Sequence, residues 1–436
     1  MVSSRRRSAQ PGSFSGNALP LPPTPMKKNI SVEEAREIVL AEAAPTGTEK
    51  IPFDEAAGRT LAAPITSRED IPPFRNSARD GFAVRRADFE GEELPITLPR
   101  AFEVPAGHAP ERAVEPGTVA QIMTGAPVPD GADAVAPIEW TKMDENGKVR
   151  FERAPEPHAN VREAGEDVRE GQTMIEAGTL VTPPVVGMAA SLGYPELEVA
   201  CRPRVAPLST GDELVPVHAQ PGPGQIRDAN GPALAAQARH AGARALAPLA
   251  IADERAAVRR HFRDALDEAD VLLISGGMSM GEYDFVRDVV EEMGMEWCFW
   301  KVRQRPGRPL GFGTLEDESG SDTLVFGLPG NPVSSAVCFE QYARPALAKM
   351  RGRRRVQRPL HAATLTEAMR SRADLHYFAR GIAELDEEGR LTVRSTGAQG
   401  SHVYSSMTAA NCLIHLPEGL EDPAAGRRVQ VEWLEG

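Results

Sequence analysis

Between residues 202 and 350 the chain alternates short apolar runs with longer amphipathic ones, and this alternation constrains the fold more than any other feature. Residues 205–208, 245–251, 271–275, 297–302 and 324–327 read as strands, and 233–241, 255–268, 285–293 and 332–350 read as helices. Strands joined through helices must run parallel, because a crossover returns each strand to the same edge, so the segment predicts a parallel sheet covered by helices. In such sheets ligands bind beyond the carboxyl ends of the strands. The loops at the strand exits are therefore the informative part of the sequence.

Every exit is decorated. The first strand runs into Ser209-Thr210-Gly211-Asp212-Glu213, the second into Ala252-Asp253, and the third into Ser275-Gly276-Gly277 and on to Asp284. Beyond the strand near 300 lies Arg305-Pro306-Gly307-Arg308-Pro309, and the last strand ends in Gly327-Leu328-Pro329-Gly330-Asn331-Pro332. Paired glycines let backbone approach a ligand closely, and a following helix offers free N–H groups and a positive dipole to an anion. Asp253, Asp284 and Glu213 are hard oxygen donors suited to Mg²⁺ shared with a phosphate, and Arg305 and Arg308 are planar forks suited to an oxyanion. A Gly-Gly after a strand is by itself only a turn, and a lone exposed carboxylate is ordinary surface. Decoration of exit after exit is what argues for a site. The loop is neither a Walker A motif nor a G-x-G-x-x-G fingerprint, since the required Gly and Lys spacings are missing.

The flanks read differently. Residues 1–27, rich in Ser, Pro, Gly and Arg, predict a disordered tail, and Ser31 with Glu34 opens a helix through a capping box. Residues 70–155 and 360–436 break into short apolar runs punctuated by some of the chain's 39 glycines and 38 prolines, which predicts two small β domains. A further helix is expected at 185–192, and the basic run Arg351 to Arg358 reads as a solvated helix end. The net charge of −13 and an aromatic content of 5% argue against a nucleic-acid binder. Four scattered cysteines without a C-x-x-C, and no apolar run long enough to span a bilayer, predict a cytoplasmic protein with no membrane partner. Nine histidines lack any zinc-type spacing, and no G-x-S-x-G elbow is present. An acidic chain that binds an anionic ligand must reverse sign locally. Lys301, Arg303, Arg305 and Arg308 supply that reversal beside one strand exit.

These loops, with Asn76-Ser77-Ala78-Arg79-Asp80-Gly81, Thr124-Gly125-Ala126-Pro127, Gly165-Glu166-Asp167, Gln399-Gly400-Ser401 and Ser405-Ser406-Met407, resemble in order the motifs of the MoeA-type molybdopterin molybdenumtransferases, to which the E domain of gephyrin is similar. The resemblance runs from about Ser31 to the carboxyl end. It implies a multidomain α/β and β protein. A central doubly wound parallel α/β molybdopterin-binding domain (201–352) would be joined by a discontinuous domain (28–66 and 158–200), an inserted β domain (67–157) and a C-terminal β domain (353–436).

The implied activity is a transferase reaction. Molybdate, as co-substrate, is inserted into adenylylated molybdopterin with Mg²⁺ and AMP is released, the final step of molybdenum cofactor assembly, in a homodimer that works with other proteins of that pathway. Carried over, Asp253 and Asp284 resemble the Mg²⁺ carboxylates with Glu213 in support, and Asp80 and Asp167 resemble further cleft carboxylates. Ser275, Gly276 and Gly277 resemble the pterin phosphate cradle. Thr124, Lys301, Pro329, Gly330, Asn331 and Pro332 resemble other substrate contacts, and Arg305, Arg308, Ser334, Arg380 and Ser406 the oxyanion pocket. The family often has Lys where this chain has Arg305 and Arg308, and other residues where it has Arg79, His402 and Cys412. A non-catalytic scaffold and a molybdopterin adenylyltransferase are the alternatives. The flanking domains weigh against the second, and the retained carboxylates against the first.

Overall fold

The structure, a computed structural model, describes residues 26–277, 285–316, 320 and 322–434. The chain divides into two compact units, one built from residues up to 46 with 202–350 and 355–436, the other from 47–201 with 351–354.

The first unit holds the predicted sheet. Its strands lie in the order Lys27–Ile30, Glu296–Val302, Gly311–Glu316, Asp322–Leu328, Val271–Ser275, Arg204–Thr210 and Arg244–Ala245, with Leu249–Ile251 also pairing against 204–210. Successive residues of 271–275 serve opposite faces. Val271 and Leu273 join one helix layer, while Leu272 and Ile274 join the other, as a strand buried on both sides requires. Strands 204–210, 271–275 and 322–328 run parallel, so their carboxyl ends share one edge.

Several sequence expectations change here. Gly311–Glu316 is an additional strand, antiparallel to both neighbours, so the sheet is mixed. Glycine hid it. A Cβ on Gly313 would stand 2.1 Å from the Glu296 carbonyl oxygen, and one on Gly311 2.4 Å from the Trp300 ring, so this strand tolerates only the residue that weakens a strand signal. The expected 245–251 strand is two short ones, interrupted at Pro248, which cannot donate to a ladder. The 332–350 helix is continuous but contains a π turn at Phe339–Ala343, immediately before Pro345, whose missing N–H the wider turn accommodates. The expected N-cap forms, with Ser31 Oγ accepting from Glu34 N at 3.1 Å, while the Glu34 carboxylate accepts from Lys27 Nζ at 2.8 Å. The helix it opens, however, packs Val32, Ala35 and Val39 into the α/β core beside Phe299 and Phe312. Residues 27–46 therefore belong with the α/β unit and not with the discontinuous domain expected from 28.

Residues 360–365, 376–385, 391–395, 412–416 and 428–433 form a closed β-sheet, because 376–385 pairs with both 391–395 and 412–416. The two-residue strand Gln304–Arg305 pairs onto this sheet in parallel beside His376 and Tyr377. The loop after residue 302 is thus carried by the C-terminal sheet.

The second unit contains a six-stranded sheet in the order 134–137, 81–84, 119–122, 96–104, 148–151 and 141–143. It also holds the Pro183–Ser191 helix and the antiparallel pair of 48–52 with 196–200. The basic run is solvated only in part, with Arg354 and Arg355 exposed beyond the end of the helix at Met350. Arg351 is 4% exposed and donates to the Gly58 carbonyl at 2.7 Å within this unit, while Arg358, in the first unit, donates to Trp433 O at 3.0 Å and faces Glu340 at 3.5 Å. No helix among the described residues is long and apolar enough to cross a membrane, and all four cysteines are free thiols.

Candidate functional site

The shared carboxyl edge of the parallel strands opens into a cavity of about 540 Å³. Its wall brings together Glu213, Asp253, Ser275, Gly276, Gly277, Pro329, Gly330, Asn331 and Pro332, all named from the sequence. The glycines are dictated by geometry. Gly276 and Gly277 have φ of +90° and +60°, and a Cβ on them would lie 2.4 Å from Thr210 O and 2.3 Å from Val286 Cγ2 respectively. Asp284, and with it residues 278–283 of the same loop, lies outside the described residues.

Ser275 is 2% exposed, and its hydroxyl accepts from Asn230 Nδ2 at 2.7 Å and reaches the Pro329 carbonyl at 3.4 Å. Its side chain therefore ties loops together, leaving closer contact with a ligand to the glycines beside it. Thr210 Oγ1 is buried in the same wall beneath Gly276 and Gly277 and finds no hydrogen-bond partner among the described residues.

Two residues of this wall escaped the sequence reading. Asp228 is buried and accepts from Ser209 Oγ at 3.1 Å and Gly231 N at 3.0 Å, and so fixes the start of the Asn230–His240 helix. Asn230 donates to both Ser275 Oγ and Gly330 O, at 2.7 and 2.8 Å, joining two strand exits. The run Asp228-Ala229-Asn230-Gly231 is a turn and helix-start signature that could have drawn attention. It sits beyond a connection in which no long strand is legible.

A second cavity, of about 650 Å³, lies against the C-terminal sheet. Arg305 and Arg380 both line it. Arg380 is 1% exposed. Its Nε donates to Ser406 Oγ at 3.1 Å and one Nη to Gly400 O at 3.2 Å. Burial, and then the neighbouring Arg305 charge, pull its pKa down to about 10, so it remains a cation at neutral pH. Arg305 sits over the Tyr377 ring at 5.8 Å. The rest of the expected oxyanion set is placed less directly. Ser406 acts on Arg380, Ser334 is buried, and Arg308 donates to Asn29 Oδ1 at 3.1 Å. Lys301 and Arg308 line neither cavity, and Arg303 is paired with Glu418 at 3.0 Å. Of the four cations at 301–308, Arg305 lines this cavity, where it meets Arg380, Arg370 and Arg372 from distant parts of the chain beside the carboxylates Glu421 and Asp422.

Asp80, Thr124 and Asp167 belong to the other unit. Asp80 accepts from both the N–H and the hydroxyl of Thr124 at 2.7 Å, and these bonds hold its carboxyl below the usual range. Asp167 is exposed at a turn where its N–H donates to Ile71 O at 3.0 Å.

Comparison with known proteins covers nearly the whole chain. Residues 30–193 match the MoeA N-terminal region (domain I and II), 206–349 a probable molybdopterin binding domain, and 362–434 the MoeA C-terminal region (domain IV). The molybdopterin molybdenumtransferase of Haemophilus influenzae is 36% identical over 405 residues, spanning 92% of this chain and 98% of that protein. Molybdopterin molybdenumtransferase 2 of Mycobacterium tuberculosis is 37% identical over 414 residues, again spanning 92% and 98%. The crystal structure of the molybdopterin biosynthesis MoeA protein from Pyrococcus horikoshii superimposes with a TM-score of 0.80 at 29% identity, over 93% of this chain and all of that one. Matched through its N-terminal, central and C-terminal regions alike, the chain belongs to the MoeA family.

Proposed function

We propose that this protein is a molybdopterin molybdenumtransferase, which inserts molybdate-derived molybdenum into adenylylated molybdopterin and releases AMP. The observation that carries the reading is the presence, in one unit, of a strand-end cavity walled by glycine, Asn and carboxylate and a separate, arginine-rich cavity in which Arg305 and the buried Arg380 stand together. In this reading Gly276 and Gly277 admit the phosphate of the pterin to close backbone contact. Asn230 holds the loops that shape the wall. Arg305 and Arg380 bind molybdate as a dianion. Asp80 and Asp167 are further cleft carboxylates.

The oxygen-only donors Glu213 and Asp253 in the strand-end wall suit Mg²⁺, which they would hold together with a substrate phosphate. Asp284, outside the described residues, is proposed as a further ligand. Held there, Mg²⁺ would supply positive charge against the leaving phosphate. We further assign the protein to the cytoplasm as a homodimer that meets other proteins of cofactor assembly.

The test is AMP release by the purified protein from adenylylated molybdopterin, with molybdate and Mg²⁺ each omitted in turn. Release that needs both is expected, and Asp253→Ala should abolish it. Substrate that binds but yields no AMP under any condition would sink the proposal.

A further inference from the structure

Two like charges around one cavity repel, so something must hold Arg305 and Arg380 in place without neutralising them. Each has a glutamine amide bonded to its backbone or to its turn. Gln399 donates from Nε2 to Arg380 O at 3.1 Å and accepts at Oε1 from Arg380 N at 2.9 Å. It takes up the N–H left without a strand partner where 391–395 has ended, and it adds a second bond to the carbonyl that already accepts from Thr396 N at 3.0 Å. Gln304, 1% exposed, donates from Nε2 to Pro306 O at 3.0 Å and Gly307 O at 3.3 Å, and its Oε1 accepts from Tyr342 Oη. That amide spans the turn directly after Arg305. The turn also needs Gly307, with φ +90° and a would-be Cβ only 2.4 Å from Cys338 Sγ.

We infer that Gln304 and Gln399 are positioning residues for oxyanion capture. They are neutral clamps that lock the backbone beneath each arginine without adding a negative charge to the cavity. The inference rests on the reading of Arg305 and Arg380 as the molybdate-binding pair. An amide is the fitting group because it offers both donor and acceptor to a peptide unit and carries no charge. A carboxylate in either place would lack the donor and cancel one of the two charges. Gln304 is buried away from the cavity, whereas Gln399 lines it with its amide engaged by the Arg380 backbone.

The experiment uses the full chain and measures AMP release while molybdate and adenylylated molybdopterin are varied separately, with thermal unfolding as a control on folding. Gln399→Leu is expected to raise the KM for molybdate about tenfold, the scale at which lost outer-shell partners act on a site. The kcat at saturating molybdate and the KM for adenylylated molybdopterin should stay within about twofold of wild type, as expected when only orientation of the anion site is lost. Gln399→Glu should raise the molybdate KM further than Gln399→Leu at an equal melting temperature, because it adds a negative charge. Gln304→Met, at a more buried position, is a second reading of the same split. If Gln399→Leu leaves the molybdate KM unchanged, or raises both KM values alike, the inference is overturned. Arg380→Met separates the two layers. If it fails to weaken molybdate binding, the underlying reading of the arginines is wrong, whatever the glutamine variants do.

Discussion

The two cavities of the first unit are built by opposite means. The strand-end cavity is made of loop backbone, glycine and short polar side chains that leave adjacent parallel strands at one level. The arginine cavity is lined by long charged side chains, and the positions of Arg305 and Arg380 are set by neutral amides and a serine hydroxyl. In the first, shape is a property of the main chain and hardly adjusts. In the second, shape depends on side-chain hydrogen bonds that a single substitution can loosen. The difference predicts that steric damage will be severe in one place and graded in the other.

The largest effect should come from Gly277→Val. Its Cβ would sit within 2.6 Å of both Val286 and Thr210 at a φ of +60°, so the loop must move. AMP release should fall at least about a hundredfold, the scale of a misplacement near 1 Å. Circular dichroism should remain close to wild type, and near-normal turnover would break the contrast. Next, Arg380→Met should weaken molybdate binding by about a hundredfold, as expected for buried charge-assisted hydrogen bonds, while Arg305→Met, at an exposed position, should cost only about tenfold. Equal losses measured by calorimetry would show that burial does not grade this cavity.

A third effect concerns the acid stability of the C-terminal sheet that carries both arginines. Burial, then His415 and Arg36, push the His376 pKa down to about 3, so the folded state keeps this ring neutral where an unfolded chain would protonate it. Between about pH 6.5 and 3 the unfolded state binds more protons, so stability is lost as pH falls through that window, by up to about 1.4 kcal/mol per pH unit. His376→Phe, which keeps the stacking on Phe378, should flatten that slope in denaturant titrations at pH 6.5 and 4.5. An unchanged slope would mean that another group governs acid unfolding. The smallest effect lies in the other unit. Thr124→Val removes the hydroxyl donor to Asp80 and should raise its carboxyl pKa, read by NMR titration, while the remaining backbone N–H keeps the rise partial.

The strand-end cavity was largely legible from sequence because its parts are contiguous motifs at the ends of apolar runs. Ser275, Gly276 and Gly277 follow one strand, and Pro329 to Pro332 follow another. Asp228 and Asn230 were missed because the small strand preceding them, Ile226–Arg227, is exposed and carries no apolar run. The arginine cavity was legible only through family resemblance. Arg305 and Arg380 stand on strands that meet solely through the pairing of 304–305 with 376–377. Lys301, Arg303 and Arg308 looked equivalent to Arg305 in the sequence, and it is backbone direction and local partners that separate them.

By itself the amino-acid sequence determined the alternation of strand and helix, the shared edge at which loops gather, and the need for glycine within them. These features arise from local periodicity and from the conformations a residue can adopt. Tertiary structure alone decided that the Val32–Glu42 helix belongs to the α/β core, that an antiparallel strand with two glycines lies inside the sheet, and which cations face a cavity. Those outcomes depend on burial and on pairings between residues far apart in the chain, and no local pattern encodes which distant strand supplies the neighbour.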